Sequence, residues 1–287
     1  MADTDPSHPP RPGSAGEGGP GEPPGAASGV SAAVTDPAAV AADSTDLRKV
    51  SAAITACRAC PRLVVWREQV ARERRAAFAD QTYWGRPVPS FGDPHAEVMV
   101  VGLAPAAHGA NRTGRVFTGD RSGEWLFAAL YRTGFASQPT SVSRDDGLAL
   151  RRCLVTAAVR CAPPANRPTT EERDRCAPFL AAELDLVPWR VVVALGAFAW
   201  DAVLRRTGWD GRKPRFGHGA EVVLPDGRVL LGCYHVSQQN TFTGRLTEAM
   251  LDAVLLRART LAGLPAPPTG TSWPSGPGGT SGPGGAT

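Results

Sequence analysis

Four stretches of the chain are almost wholly apolar: Glu97-Val-Met-Val-Val101, Cys153-Leu-Val-Thr-Ala-Ala-Val159, Arg190-Val-Val-Val-Ala-Leu195 and Arg228 to Tyr234, three of them led in by a charged residue. Runs this short with no polar alternation predict strands buried on both faces. Between them lie segments with helical spacing: Leu47–Cys57, Leu63–Ala79, Glu124–Thr133, Thr170–Leu186, Gly196 through Arg206, and Leu246–Thr260. In the last, Leu246, Met250, Ala253, Val254 and Arg257 recur at helical intervals. Asp46 or Thr45 suits the cap of the first helix, and Thr169 or Thr170, followed by glutamates, opens the fourth. Pro225-Asp226-Gly227 separates Glu221–Leu224 from Arg228–Leu231 and predicts a hairpin. Strands alternating with helices predict an α/β fold, a parallel sheet covered on both faces. Ligands of such sheets bind beyond the carboxyl ends of the strands. The loops after Val101, Val159, Leu195 and Tyr234 are therefore the candidate site.

Composition sets the limits of this domain. Residues 1–46 are Gly, Pro, Ala, Ser and Asp with few large apolar side chains, and residues 263–287 are a Gly/Pro/Ser/Thr tail without charge. Neither can bury enough apolar surface to offset chain entropy, so both are expected to be disordered, leaving one domain over 47–262. The first 46 residues hold one basic residue against seven acidic, whereas the remainder holds 30 Lys and Arg against 20 Asp and Glu. A basic core suits a polyanionic partner, although a soluble protein of basic pI needs none. No stretch is long and apolar enough to span a bilayer and no leader precedes the domain, so a cytoplasmic location is expected, with no membrane partner.

That compartment makes the six cysteines thiols or metal ligands rather than disulfides. Cys57 and Cys60 form a C-x2-C pair, and Cys161 and Cys176 stand fourteen residues apart. Four thiolates serve zinc or a [4Fe–4S] cluster, and spacing does not choose between them. Cys153 and Cys233, inside predicted strands, are read as core residues.

Gly102-Leu-Ala-Pro-Ala-Ala-His-Gly109 with Asn111-Arg-Thr-Gly-Arg-Val-Phe-Thr-Gly-Asp120 resembles the first motif of the family 5 (type-b) uracil-DNA glycosylases. His235-Val-Ser-Gln-Gln-Asn-Thr-Phe-Thr-Gly244 resembles their second, and Val159-Arg-Cys-Ala-Pro-Pro-Ala-Asn-Arg167 the segment with a cluster cysteine. The resemblance spans Cys57 to about Arg257. It implies a three-layer α/β/α sandwich around a four-stranded parallel sheet and a [4Fe–4S] cluster on Cys57, Cys60, Cys161 and Cys176. It also implies a monomer acting on DNA that contains uracil or other damaged bases, with Gly102, Ala104 and Ala106 of the first motif against the extruded base. Two departures stand out against related branches. The loop after the first strand carries Ala104, Pro105, Ala106 and Ala107 where others have a water-activating polar residue, and Ala157 stands where others have a uracil-reading Asn. Both imply looser base selection.

Hydrolysis of the glycosidic bond makes a cationic sugar and an anionic base, and both charges need stabilising. Asp120, the one acidic residue of the first motif, is assigned to the water and the sugar cation, although it equally suits a helix cap. His235 is assigned to the leaving base, and Phe117 to stacking on it, with a core phenylalanine as the alternative. Gln238, Gln239 and Asn240 suit the gap left by a flipped nucleotide. Asn166 is a further candidate at the site. Arg112, Arg115, Arg121, Arg167 and Arg245 are candidates for phosphate contacts. Two rival readings remain: a non-catalytic metal-containing nucleic-acid-binding module, and a redox enzyme, the latter weakened by the lack of a dinucleotide fingerprint.

Overall fold

The computed structural model describes residues 33–267. In chain order these form helices α1 (Pro37–Ala42), α2 (Leu47–Ala56) and α3 (Pro61–Glu73), strands β1 (Phe91–Gly92) and β2 (Val98–Gly102), and helices α4 (Ala110–Thr113) and α5 (Arg121–Arg132). Then follow β3 (Cys153–Ala157), α6 (Thr170–Leu186), β4 (Val191–Leu195), α7 (Ala197–Leu204), β5 (Glu221–Val223), β6 (Val229–Cys233), α8 (Gln238–Phe242) and α9 (Glu248–Leu261).

All four apolar runs became strands, and β3-β2-β4-β6 are parallel neighbours. The sheet is nevertheless six-stranded and mixed, because β1 adds antiparallel to β3 and β5 antiparallel to β6. The β5–β6 pairing is the predicted hairpin, with Gly227 in the left-handed region at φ 83°. Successive side chains point to opposite faces. Val98, Val100, Val155, Val193 and Leu231 pack against Phe127 and Leu130 of α5 and Leu251 and Leu255 of α9. Met99, Val101, Leu154, Val192 and Leu230 pack against Leu180 and Leu184 of α6 and Trp200 and Val203 of α7. Each such fully buried side chain contributes about 1.5–3 kcal/mol, which is why the sequence signal was strongest here.

Two expectations need correction. Helix α3 stops at Glu73 instead of running to Ala79, because Arg74 takes φ 55° and a separate turn covers Ala76–Phe78. The expected tails mostly lie outside the described residues, but 33–46 are folded. Asp36 caps α1 by accepting from the amides of Ala38 and Ala39, and Pro37 opens the helix with its fixed φ. Val34 bridges to Cys57, and Val34, Val40 and Ala41 cover a small core of Ile54, Cys176 and Phe179. At the other end Leu264 is buried, and Arg259 donates to the Pro265 carbonyl. The domain thus begins before Leu47 and runs past Ala262.

The chain passes from β2 to β3 on one side and then crosses to β4 on the other. This reversal opens a crevice at the carboxyl ends of β2 and β4, where the loops diverge.

Candidate active site

The loop after β2 is shaped by glycines. A β-carbon on Gly102 would meet the Phe117 ring at 2.6 Å, and one on Gly109 would collide with the Asp120 carboxylate. Gly123 likewise leaves room for the Phe117 carbonyl. Phe117 itself sits at φ 51°, a conformation that is uncommon for a bulky residue and worth about 1–3 kcal/mol of strain. The strained turn places the ring against Gly102 at the end of β2, where it is only 8 % exposed and joins the core as the alternative reading expected, 6.3 Å from the His235 ring with 39° between their planes.

Asp120 is the N-cap of α5, and its Oδ1 accepts from the Gly123 amide at 3.0 Å. The expected cap is therefore present, and the second carboxylate oxygen is left to face Gly109 across the mouth of the loop. Desolvation raises the carboxyl above the ordinary Asp range, with the Gly123 and Ser122 amides pulling the other way. His235 follows β6. Burial pushes its pKa down to about 4, so the imidazole is neutral at neutral pH and keeps one N–H to donate.

The other expected residues divide. Asn240 spends its amide on the His235 carbonyl at 2.8 Å, bracing the turn from within, while Gln238 and Gln239 are exposed at the start of α8. Asn166 is exposed at φ 53°, directly after Ala165 at φ 52°, and its side chain makes no hydrogen bond among the described residues. Nothing ties it to Asp120 or His235. Ala104 and Ala106 are half-buried, and Ala104 packs against Leu63, Val159 and Cys161. Ala157 is buried beside Gly102 at the ends of β3 and β2.

Two of the five arginines expected on phosphates are structural. Arg112 is buried, donating to the carbonyls of His108 and Gly119 and to Gln81, with its guanidinium 3.9 Å from the Phe78 ring centre. Arg115 is buried against Asp146, to which it donates twice, at 2.7 and 2.8 Å, and this pairing contributes to holding the Asp146 carboxyl down to about 2. These two bind the first motif to its neighbours. Arg121, Arg167 and Arg245 are exposed, Arg121 over Phe242 and Arg245 over Tyr234.

The four cysteines expected as ligands share one cavity. Cys57 ends α2, Cys60 precedes α3, Cys161 follows β3 and Cys176 lies on α6, and all four line a space with Pro37, Leu63, Arg67, Arg160 and Phe179. Burial pushes the Cys161 thiol up to about 12 and Cys176 higher. Cys153 and Cys233 are fully buried in strands, as expected. Among the described residues no three His, Cys, Asp or Glu side chains converge tightly enough to hold a single ion. A residue missed from the sequence also lines this cavity. Arg67 is only 2 % exposed and donates to Cys161 Sγ at 2.9 Å and to the Cys57 carbonyl at 3.1 Å. Its signal was its place on the apolar stripe of α3, between Leu63 and Val70.

Comparison with known proteins accounts for this arrangement. Residues 89–259 match the family described as the uracil DNA glycosylase superfamily. A type-5 uracil-DNA glycosylase of Mycobacterium tuberculosis is 58 % identical over 219 residues, covering 75 % of this chain and 82 % of that one. Proteins of the same description from Thermus thermophilus and Pyrobaculum aerophilum are 54 % identical over 212 residues (74 % and 96 % covered) and 53 % identical over 207 residues (72 % and 89 % covered). On these matches, the chain belongs to the uracil DNA glycosylase superfamily and, within it, to the type-5 uracil-DNA glycosylases.

Proposed function

We propose that this protein excises uracil, and other deaminated or damaged bases, from DNA by hydrolysing the bond between base and sugar. The observation that carries the reading is the Asp120 carboxylate, capping α5 through one oxygen and lying against Gly109 with the other, in the turn that brings Phe117 to His235. The extruded base stacks on Phe117, and the neutral His235 donates a hydrogen bond to the base as negative charge gathers there. A cation would also oppose that charge, but burial favours the neutral imidazole. Ionised Asp120 lies on the sugar side, where it orients water and offsets the developing cation. Water adds to the anomeric carbon as the bond to the base breaks. One water proton passes to Asp120 or solvent, and the departing base is protonated in turn. Ala157 offers a base no directional contact, in keeping with several accepted lesions. The DNA is held by the exposed Arg121, Arg167 and Arg245. The protein works as a single chain in the cytoplasm.

A [4Fe–4S] cluster on Cys57, Cys60, Cys161 and Cys176 is part of the same proposal. Its support is chemical. Four thiols line one cavity, and the buried guanidinium of Arg67, met only by a long contact to the partly exposed Glu68, favours negative charge there, because a weakly paired buried cation is costly. Cys57, Cys60, Cys161 and Cys176 would hold such a cluster through their thiolates, and it would supply a redox-active charge within the cavity. When bound, it ties α2, α3, the β3 loop and α6 into one unit.

Release of free base from duplexes carrying uracil, hypoxanthine, hydroxymethyluracil or ethenocytosine tests the activity. Binding of all four without release from any would leave a nucleic-acid-binding module instead.

A further inference from the structure

The cysteine cavity is flanked by two deeply buried guanidiniums, and they differ in how their charge is met. Arg160, 1 % exposed, donates to both carboxylate oxygens of Glu183, which is itself fully buried and also accepts from Thr156. That pair is internally neutral. Arg67 has no such partner. Its closest carboxylate, Glu68, stands 3.9 Å away, half-exposed and already paired with Arg58. The Nε of both arginines is buried without a hydrogen-bond partner, but the other donors of Arg67 reach Cys161 Sγ and the Cys57 carbonyl instead of a carboxylate. Of the remaining charges near the cavity, Arg175 is exposed and donates to the Ala59 carbonyl, and Glu172 is spent on Arg62. Among the described residues, the one carboxylate that meets Arg67 is therefore Glu68, a long and partly exposed contact shared with Arg58, so its desolvated charge is only weakly offset.

We infer that Arg67 is the counter-charge of the cysteine site and sets the reduction potential of the cluster bound there. The inference rests on the cluster reading above. Reduction adds one negative charge to the group. A buried cation that donates to a ligand sulfur stabilises the reduced form more than the oxidised one, and so raises the potential; hydrogen bonds to sulfur and local net charge are the protein's principal means of doing this. Arg175 also acts on a cysteine of the cavity, Cys60, but its guanidinium is exposed and screened by water, so its influence is smaller than that of Arg67. Arg67 acts through Cys161 and is a positioning residue with no part in the hydrolysis.

The test is electrochemical titration of the full chain as purified, beside iron and sulfide analysis, for wild type, R67Q, R67K and R175Q. At the wild-type midpoint, R67Q should show a reduced-to-oxidised ratio about tenfold lower, about 59 mV for one electron. R67K keeps the charge and should lie between wild type and R67Q, and R175Q should displace the midpoint by much less than R67Q. An R67Q cluster with the wild-type midpoint, or an equal displacement in R175Q, overturns the role of Arg67 while leaving the cluster in place. Wild-type protein without iron overturns the cluster reading itself. Should R67Q not fold, pulsed magnetic-resonance spectra of the reduced wild-type and R67K proteins, grown with ¹⁵N-guanidinium arginine, decide the matter. A nitrogen coupling present in wild type and absent in R67K supports the contact, and identical spectra overturn it.

Discussion

The carboxylate of Asp120 occupies the space that a β-carbon on Gly109 would need. Eleven positions apart in the first motif, the two residues are adjacent in space, and the missing side chain of one sets the position of the other. Gly109 has φ −100° and ψ −105°, outside the regions open to residues with a β-carbon, so this backbone conformation and the clearance both call for glycine there.

Replacing Gly109 with Ala should push the carboxylate aside and strain the turn, lowering the melting temperature without unfolding the chain. Single-turnover base release should fall about tenfold or more, and Asp120→Asn, which keeps the cap but loses the charge, by about two or more decades. Affinity for damaged duplex should hold or rise in both. Near-normal cleavage by Asp120→Asn would leave that residue as a helix cap alone.

The acid side of the pH profile should report Asp120. Its carboxyl is raised by desolvation, so base release should decline on acidification sooner than an ordinary Asp would allow. His235 makes a separate prediction about stability. Its folded pKa of about 4 lies below the unfolded value of about 6.5, so unfolded chains bind the extra proton between those limits. Stability from this group is complete above about pH 6.5 and is lost as pH falls toward 4, a change on the order of 3 kcal/mol. His108 and His218, also lowered by burial, add slope in the same direction. Denaturant titrations of His235→Gln should therefore show a shallower loss between pH 6.5 and 4; an unchanged slope would mean that His235 is charged in the fold.

Replacing Cys57, Cys60, Cys161 or Cys176 with Ala should abolish the broad visible absorption and lower the melting temperature together, since metal binding is coupled to folding. Cys153→Ala and Cys233→Ala should keep the colour, with only a small packing loss from strands β3 and β6. A colourless wild type with one zinc per chain would keep the ligands and change the metal.

DNA binding should weaken steeply with salt, and removing Arg121, Arg167 or Arg245 singly should reduce the slope of log K against log salt by about 1. Arg112→Ala and Arg115→Ala should instead lower stability, by about 3–5 kcal/mol for the latter, because it leaves Asp146 without its buried partner. Equal salt slopes in all five variants would contradict this division.

A chain beginning at Leu47 should be less stable than one beginning at Ala33. The shorter chain lacks the Asp36 cap, worth about 1 kcal/mol, and uncovers Ile54, Cys176 and Phe179. Equal melting temperatures would return 33–46 to the status of a tail.

The central strands were legible because Val98–Val101 and Val191–Leu195 are apolar on both faces, a pattern few alternatives produce. β1 was not, since Phe91-Gly92 has no periodicity to read and its pairing with Leu154 and Val155 is tertiary. Helix α1 hid in a Pro/Ala-rich stretch, where Asp36-Pro37 was the only signal of a start. The arginines were the harder case. Composition assigns Arg to the surface, and only the distant partners Asp146, for Arg115, and Glu183, for Arg160, show them to be interior. Asp120 and His235 could be singled out because each is the only residue of its kind in its motif, whereas the hydrogen bond of Asn240 within its own turn depends on a fold of the loop that no pattern announces.

The two outermost strands are two and three residues long, and each runs against its neighbour. At the β5 margin Glu221 is engaged by Arg257 through two bonds, at 2.6 and 2.9 Å. An approaching strand from another copy would find only a few free backbone groups there and a charged pair in its path. Copies crowded along one length of DNA would therefore meet without a template for edge-to-edge joining, and the sheet can remain unshared at local concentrations that promote aggregation of an open one.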